Sequence, residues 1–340
     1  MVNVEGQPRR LPELDALRGI AAMLVLLFHY SSQYPKLFPD QPGLPFRWQW
    51  AENGIWLFFA ISGFVICMTL ERTRHWTDFV WARFSRLYPV YWAAMFLTAA
   101  AVAVSGEAAL DIPIADKLAN ITMIQAWIGR ASIDPVYWTL AIELAFYLCM
   151  LGVFIAGWLA RLEVVVALWL ALSALQMATG WLPFRIEQLL VLGQFPFFAT
   201  GMIFYRFHSG AISRGRLLIW QILLALVAGL MGGEAILVAA IIIAIFWLML
   251  SGRLSFLASP ILLWLGAISY PLYLVHQNIG YVIIHRLGAL GVGTEIAAIA
   301  ATALAVLLAH VLHRHVEDPA QRWLRDRKPV TARRAMAVTE

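Results

Sequence analysis

Charge is scarce in this chain. Asp, Glu, Lys and Arg make up 13% of its 340 residues, against roughly 25% in an ordinary soluble protein. So little polar surface cannot coat globular domains, which excludes a soluble enzyme. Cysteine is scarcer still: Cys67 and Cys149 are the only two, each inside an apolar run, so neither a disulfide framework nor a thiolate metal site is supported. Also missing are a phosphate-binding glycine loop, a dinucleotide fingerprint, His-Glu-x-x-His and Gly-x-Ser-x-Gly. No solenoid-type repeat or low-complexity stretch is visible. His310, His313 and His315 have a metal-like look in isolation, but with no acidic or Cys partners at zinc spacing they read as interface side chains, and no metal is expected.

What is abundant is apolar: 61% of the residues. About ten spans of about 20 residues would absorb them, which predicts an all-α polytopic membrane protein. Apolar runs bounded by charge, Pro or Gly place spans near 14–34, 53–71, 87–106, 138–157, 164–180, 189–206, 217–231, 235–250, 261–284 and 296–313. Gly19 to Tyr30 continues into Ser31, Ser32, Gln33 and Tyr34 without a cleavage site, so the first helix reads as retained.

The 25 Lys and Arg against 20 Asp and Glu give +5, which in a membrane protein reports basic cytoplasmic loops rather than nucleic-acid binding. Arg9, Arg10 and Arg18, then Arg72, Arg74, Arg83 and Arg86, then Arg206, Arg214 and Arg216, and finally the tail fall on one side if there are ten spans. Both termini are therefore expected in the cytoplasm. A ten-helix domain over 1–313 would be followed by a basic cytoplasmic tail, 314–340, with Arg322, Arg325, Arg327, Lys328, Arg333 and Arg334, partly disordered at its end. Trp48, Trp50, Trp56, Trp76, Trp81 and Trp92 sit near predicted helix ends as interfacial anchors. Between Ile112 and Pro135, the spacing of Ile114, Leu118, Ile121 and Met123 predicts a helix lying on the outer membrane surface.

Ionisable groups at membrane depth cost about 2.5 to 3.5 kcal/mol each by insertion scales and so need a reason. Arg18 and His29 are eleven residues apart, within roughly 20° of a whole number of turns and about 16 Å in rise. One helix face therefore carries Arg18 at the cytoplasmic mouth and His29 near mid-bilayer. Glu143, about 7 to 8 Å in from the outer side, could meet His29. Ser62, descending from outside, and His276, ascending from inside, approach the same depth. Four polar groups from four spans converging at one level form a buried-site pattern. Gly63 and Pro271 are read as packing residues. Arg83 and Arg86, at i and i+3, share a helix face; positive-inside anchoring explains the pair, and a phosphate clamp is the alternative.

These segments resemble the integral-membrane acyltransferase family 3. The match runs through LDALRGIAAMLVLLFHY at 14–30, FFAISGF at 58–64, RFSRLYPVYW at 83–92, WTLAIELAFYL at 138–148, ISYPLYLVH at 268–276 and VEDP at 316–319. The resemblance implies a ten-helix bundle in the bacterial inner membrane. It would transfer an acyl group, usually acetyl, from cytoplasmic acyl-coenzyme A to a hydroxyl of an extracytoplasmic glycan or glycolipid. It also implies His29 as the catalytic histidine, Glu143 as its partner, and Arg18, Arg83 and Arg86 as ligands of the coenzyme's phosphates. Some relatives append an outer esterase-like domain; this chain reads as the form without one.

On that reading His29 deprotonates the acceptor hydroxyl, or carries the acyl group transiently. Ser62, Tyr270 and His276 are substrate-side candidates, with Ser62, Tyr270 or backbone N–H groups near Gly63 as oxyanion donors. A transporter or flippase with buried Arg, His and Glu is the alternative class, disfavoured by the absence of paired broken helices in two halves. Succinyl or a longer chain could replace acetyl. The acceptor and the oligomeric state are not encoded legibly.

Overall fold

The computed structural model describes residues 11–327. Arg9, Arg10, Lys328, Arg333 and Arg334, and with them the expected disorder of the tail's end, lie outside the described residues. Within them every regular element is a helix. In chain order these are α1 (Pro12–Phe28), α2 (Tyr34–Leu37), α3 (Gly54–Glu71), α4 (Trp76–Ser105), α5 (Ile114–Asn120), α6 (Trp138–Ile155), α7 (Leu162–Thr179) and α8 (Phe184–Leu189). They continue as α9 (Phe195–His208), α10 (Arg214–Gly229), α11 (Gly233–Leu250), α12 (Pro260–Ala267), α13 (Ser269–Val275), α14 (Gln277–Ala289), α15 (Thr294–Leu312) and α16 (Asp318–Asp326).

Seven helical stretches among the described residues are long and apolar enough to cross a membrane: Pro12–Leu37, Gln49–Glu71, Trp76–Ser105, Pro135–Ile155, Trp158–Thr179, Gly233–Leu250 and Thr294–Arg325. The protein is thus an integral membrane protein. Three expected spans fall outside this set for local reasons. The helices α9 and α10 have 14 and 16 residues, and the stretch expected at 261–284 is cut into α12, α13 and α14 by interruptions at Ile268 and His276.

The chain forms two compact units. One comprises residues up to 21, 55–73 and 142–266; the other comprises 22–54, 74–141 and the residues from 267 onward. In the first unit α3 and α9 cross at two glycines. A Cβ on Gly63 would run into the Phe198 carbonyl, and one on Gly201 into the Ala60 carbonyl. Backbones this close need residues without side chains, so Gly63 is the packing residue expected. Around that crossing Phe59 and Phe146 both stack on Phe198. Gly19 and Gly266 make a similar contact between α1 and α12.

In the second unit α4 begins at Trp76, well before the expected residue 87, so Arg83 and Arg86 stand inside a 30-residue helix and not in a loop. The segment after it is only partly helical. Its helix α5 has only seven residues, and Ile114, Leu118 and Ile121 are exposed whereas Met123 is fully buried. The carbonyls of Asn120, Ile121 and Thr122 accept hydrogen bonds from Tyr91 Oη, Trp92 Nε1 and Tyr88 Oη. Those side chains sit near the middle of α4, so the segment folds back along α4 instead of lying across its end. Asn120 staples the return, its Oδ1 accepting from Ile133 N at 3.0 Å and its Nδ2 donating to Ala131 O at 2.8 Å.

Trp48, Trp50 and Trp76 are exposed. Trp56, Trp81 and Trp92 instead hold tertiary contacts, to Phe197, to Leu324 O and to Ile121 O. The last helix continues past residue 313 through a π-turn, His313–Glu317, into α16. Trp81 Nε1 donates to Leu324 O at 2.7 Å, so the first part of the basic tail packs with α4. His313 has the acidic partner that its spacing did not reveal, Glu317 Oε2 at 2.8 Å.

Candidate active site

The α-helical pattern of α1 stops at His29, where a π-turn over His29–Gln33 begins. A π-turn inserts one extra residue per turn and is common at functional positions. Here it holds His29 buried, 8% exposed. His29 Nδ1 lies 2.7 Å from Val25 O and 3.2 Å from His276 Nε2, and the two imidazoles meet edge to face with centroids 4.9 Å apart. On the far side of the pair, His276 Nδ1 lies 2.9 Å from Tyr273 O.

Carbonyl oxygens only accept, so these contacts assign the protons. His29 carries its hydrogen on Nδ1, shared between Val25 O and His276 Nε2, and His276 carries its own on Nδ1. The consequence is a lone pair on His29 Nε2. A neutral imidazole in this tautomer presents a base.

His276 stands at the interruption between α13 and α14. Its carbonyl accepts from Tyr30 Oη at 2.7 Å, and Tyr30 approaches so closely that a Cβ on Gly280 would collide with its ring. Asp134 and Asn278, neither of which the sequence reading singled out, are fully or nearly fully buried beside this interruption. An Asp directly before a proline, a pattern that suits a helix start, was the available signal, and Asp134 does accept from Val136 N as an N-cap.

The other sequence-predicted residues fall into three groups. Ser62 and Glu143 meet in the first unit, Ser62 Oγ donating to Glu143 Oε1 at 3.2 Å, and Tyr147 Oη donates to the same oxygen. Of the four groups expected to converge, His29 is bonded to His276 within the second unit and Ser62 to Glu143 within the first. Tyr270 is buried and donates to Leu87 O on α4 at 3.2 Å. A hydroxyl has one hydrogen, so Ser62 and Tyr270 as bonded here have none aimed at an oxyanion. Arg18 lies 4.0 Å from Asp15, one turn away on α1. Arg83 and Arg86 are half-buried on α4, with the Arg83 guanidinium 5.8 Å from the centre of the Phe79 ring. Among the described residues no three His, Cys, Asp or Glu side chains gather to hold a metal ion.

Comparison with known proteins gives this helical membrane protein a class. The model of the acyltransferase domain, acyltransferase family 3, matches residues 11–314, and the chain belongs to this family of acyltransferases. A second comparison finds similarity to Acyltransferase MdmB of Streptomyces mycarofaciens, 26% identical over 94% of this chain and 94% of the relative. Protein 2 in picA locus of Rhizobium radiobacter is 34% identical over 28% of this chain and 48% of its own length. No solved structure matches.

Proposed function

We propose that this protein transfers an acyl group, most simply acetyl, from cytoplasmic acyl-coenzyme A to a hydroxyl of an extracytoplasmic glycan or glycolipid, with His29 as the general base. The observation that carries this reading is the bonding of His29 Nδ1 to Val25 O and His276 Nε2, which places the hydrogen of a neutral ring on Nδ1 and its lone pair on Nε2. In the reaction Nε2 takes the acceptor's hydroxyl proton as that oxygen attacks the thioester carbon. The carbon–sulfur bond then breaks, and the departing thiolate takes the proton back from the imidazolium. An acyl group resting on His29 between two half-reactions would use the same lone pair.

Glu143 is proposed as the carboxylate that supports catalysis in its own unit, through the Ser62 and Tyr147 hydroxyls bonded to it. Ser62, Tyr270 and His276 are assigned to the substrate side. To donate to an oxyanion, the two hydroxyls would first turn from Glu143 and Leu87 O. Arg18, Arg83 and Arg86 are proposed to bind the coenzyme's phosphates, for which guanidinium forks are suited.

The reading includes ten spans. The seven long helices are joined by α9, α10 and the interrupted α12–α14, both termini face the cytoplasm, and the membrane is a bacterial inner membrane. Basic loops on one side support this orientation.

The test supplies labelled acetyl-coenzyme A to inside-out vesicles with and without the protein. Label in the glycan or lipid fraction only when the protein is present supports the proposal. Equal labelling in both, with acceptor present, contradicts acetyl transfer and turns the search to succinyl and longer donors.

A further inference from the structure

The imidazole that bonds to His29 stands on a place where the backbone is not continuous helix. α13 ends at Val275, α14 begins at Gln277, and His276 lies between. A helix interruption can settle in more than one arrangement unless its neighbours fasten it. Here hydrogen bonds from the segment that folds back along α4 fasten it on both sides. Asp134 Oδ2 accepts from Asn278 N at 3.0 Å, while its Oδ1 accepts from Val136 N at 3.3 Å. Asn278 returns the contact, its Nδ2 donating to Ile133 O at 2.8 Å. Tyr137, three residues on, donates to Leu274 O at 3.2 Å, so the interruption is tied on both sides of His276.

Asp134 is fully buried. A carboxylate in such a place is costly to keep, and a loop staple alone does not require one. What only a carboxylate offers is two acceptor oxygens and no donor. An asparagine would turn an N–H group toward one of the two backbone N–H groups.

We propose that Asp134 is a positioning residue for acyl transfer. By holding the N–H groups of Asn278 and Val136 on its two oxygens, it fixes the interruption that carries His276, and so keeps His276 Nε2 on His29 Nδ1. The inference rests on the reading of His29 as the base.

The experiment measures acyl transfer from labelled acetyl-coenzyme A in vesicles, normalised to folded protein, for Asp134→Asn, His276→Ala and the double variant. Loss of positioning lowers kcat by up to about tenfold, the equivalent of one good hydrogen bond at the transition state, and leaves KM for the acyl donor within about twofold. Because Asp134 acts through His276, the double variant is no slower than His276→Ala alone. Asp134→Ser, which offers one acceptor oxygen in place of two, covers the case in which Asp134→Asn does not fold. It gives a smaller kcat loss that is again absorbed by His276→Ala.

Wild-type kcat in the folded Asp134→Asn enzyme overturns the inference, as does a loss that multiplies with that of His276→Ala. If Asp134→Asn does not fold, unchanged kcat in Asp134→Ser overturns it. A His29→Ala enzyme with wild-type activity is a different failure, because it removes the reading of the base itself.

Discussion

His276 Nε2 lies 3.2 Å from His29 Nδ1, and the two residues are 247 positions apart in the chain. Each ring's remaining contact is to a backbone carbonyl, so the hydrogens run in one direction through the pair and His29 Nε2 is left as the acceptor.

Replacing His276 should therefore slow the reaction without abolishing it. In His276→Ala the Val25 carbonyl still holds His29 Nδ1, but one of its two contacts is gone. A kcat loss of about 2- to 13-fold is expected, from a lost hydrogen bond of about 0.5 to 1.5 kcal/mol. Steady-state assays with the acyl donor varied would separate this from a KM effect.

Glu143 accepts from two hydroxyls at one oxygen. Glu143→Gln keeps an acceptor oxygen and should fold, while Glu143→Leu leaves Ser62 and Tyr147 without it and should lose about 1 to 3 kcal/mol of stability. Thermal unfolding in detergent orders the variants as wild type, Gln, Leu. If Glu143 has a catalytic role as well, Glu143→Gln will lose activity despite its near-normal Tm.

For Arg83 and Arg86 the two explanations of the sequence reading, orientation of the helix and binding of phosphate, predict different kinetics. A phosphate clamp means that Arg86→Ala raises KM for acetyl-coenzyme A about tenfold, one charge-assisted hydrogen bond of about 1.5 kcal/mol. KM for acetyl-pantetheine, which lacks those phosphates, should stay unchanged. Anchoring alone would leave both constants alone and lower the amount of protein in the membrane.

Gly63→Val and Gly201→Val should both fail at the α3–α9 crossing, because each added side chain meets a backbone carbonyl and not a movable side chain. Overpacking of this kind costs about 1 to 3 kcal/mol or more. Gly152→Val, where a Cβ would meet nothing within 4 Å, is the matched control. The comparison is yield and Tm after solubilisation.

Much of the site was legible in one dimension. Helical periodicity carried Arg18 and His29 on one helix, and the cost of burying Ser62, Glu143 and His276 marked them as purposeful. Periodicity gives face and depth, however, and not partner. The bonds of His29 to His276 and of Glu143 to Ser62 join residues far apart in the chain. The π-turn at His29 changes the register by one residue, which no apolar pattern records. Asp134 escaped notice because its partners are the backbone N–H groups of Val136 and of Asn278, 144 residues away. In the fold, the long apolar helices were easy to read. The return of residues 114–134 along α4 was not, because it depends on Asn120 and on three α4 aromatics bonding to main-chain carbonyls.

The most direct measurement compares wild type with His29→Ala, expressed to equal levels, for transfer of label from acetyl-coenzyme A to the glycan or lipid fraction of inside-out vesicles. Loss of the general base predicts a fall of about 100-fold or more with normal folding. Wild-type labelling by His29→Ala would contradict the account, because the lone pair held in place by Val25 O and His276 would then have no part in the chemistry.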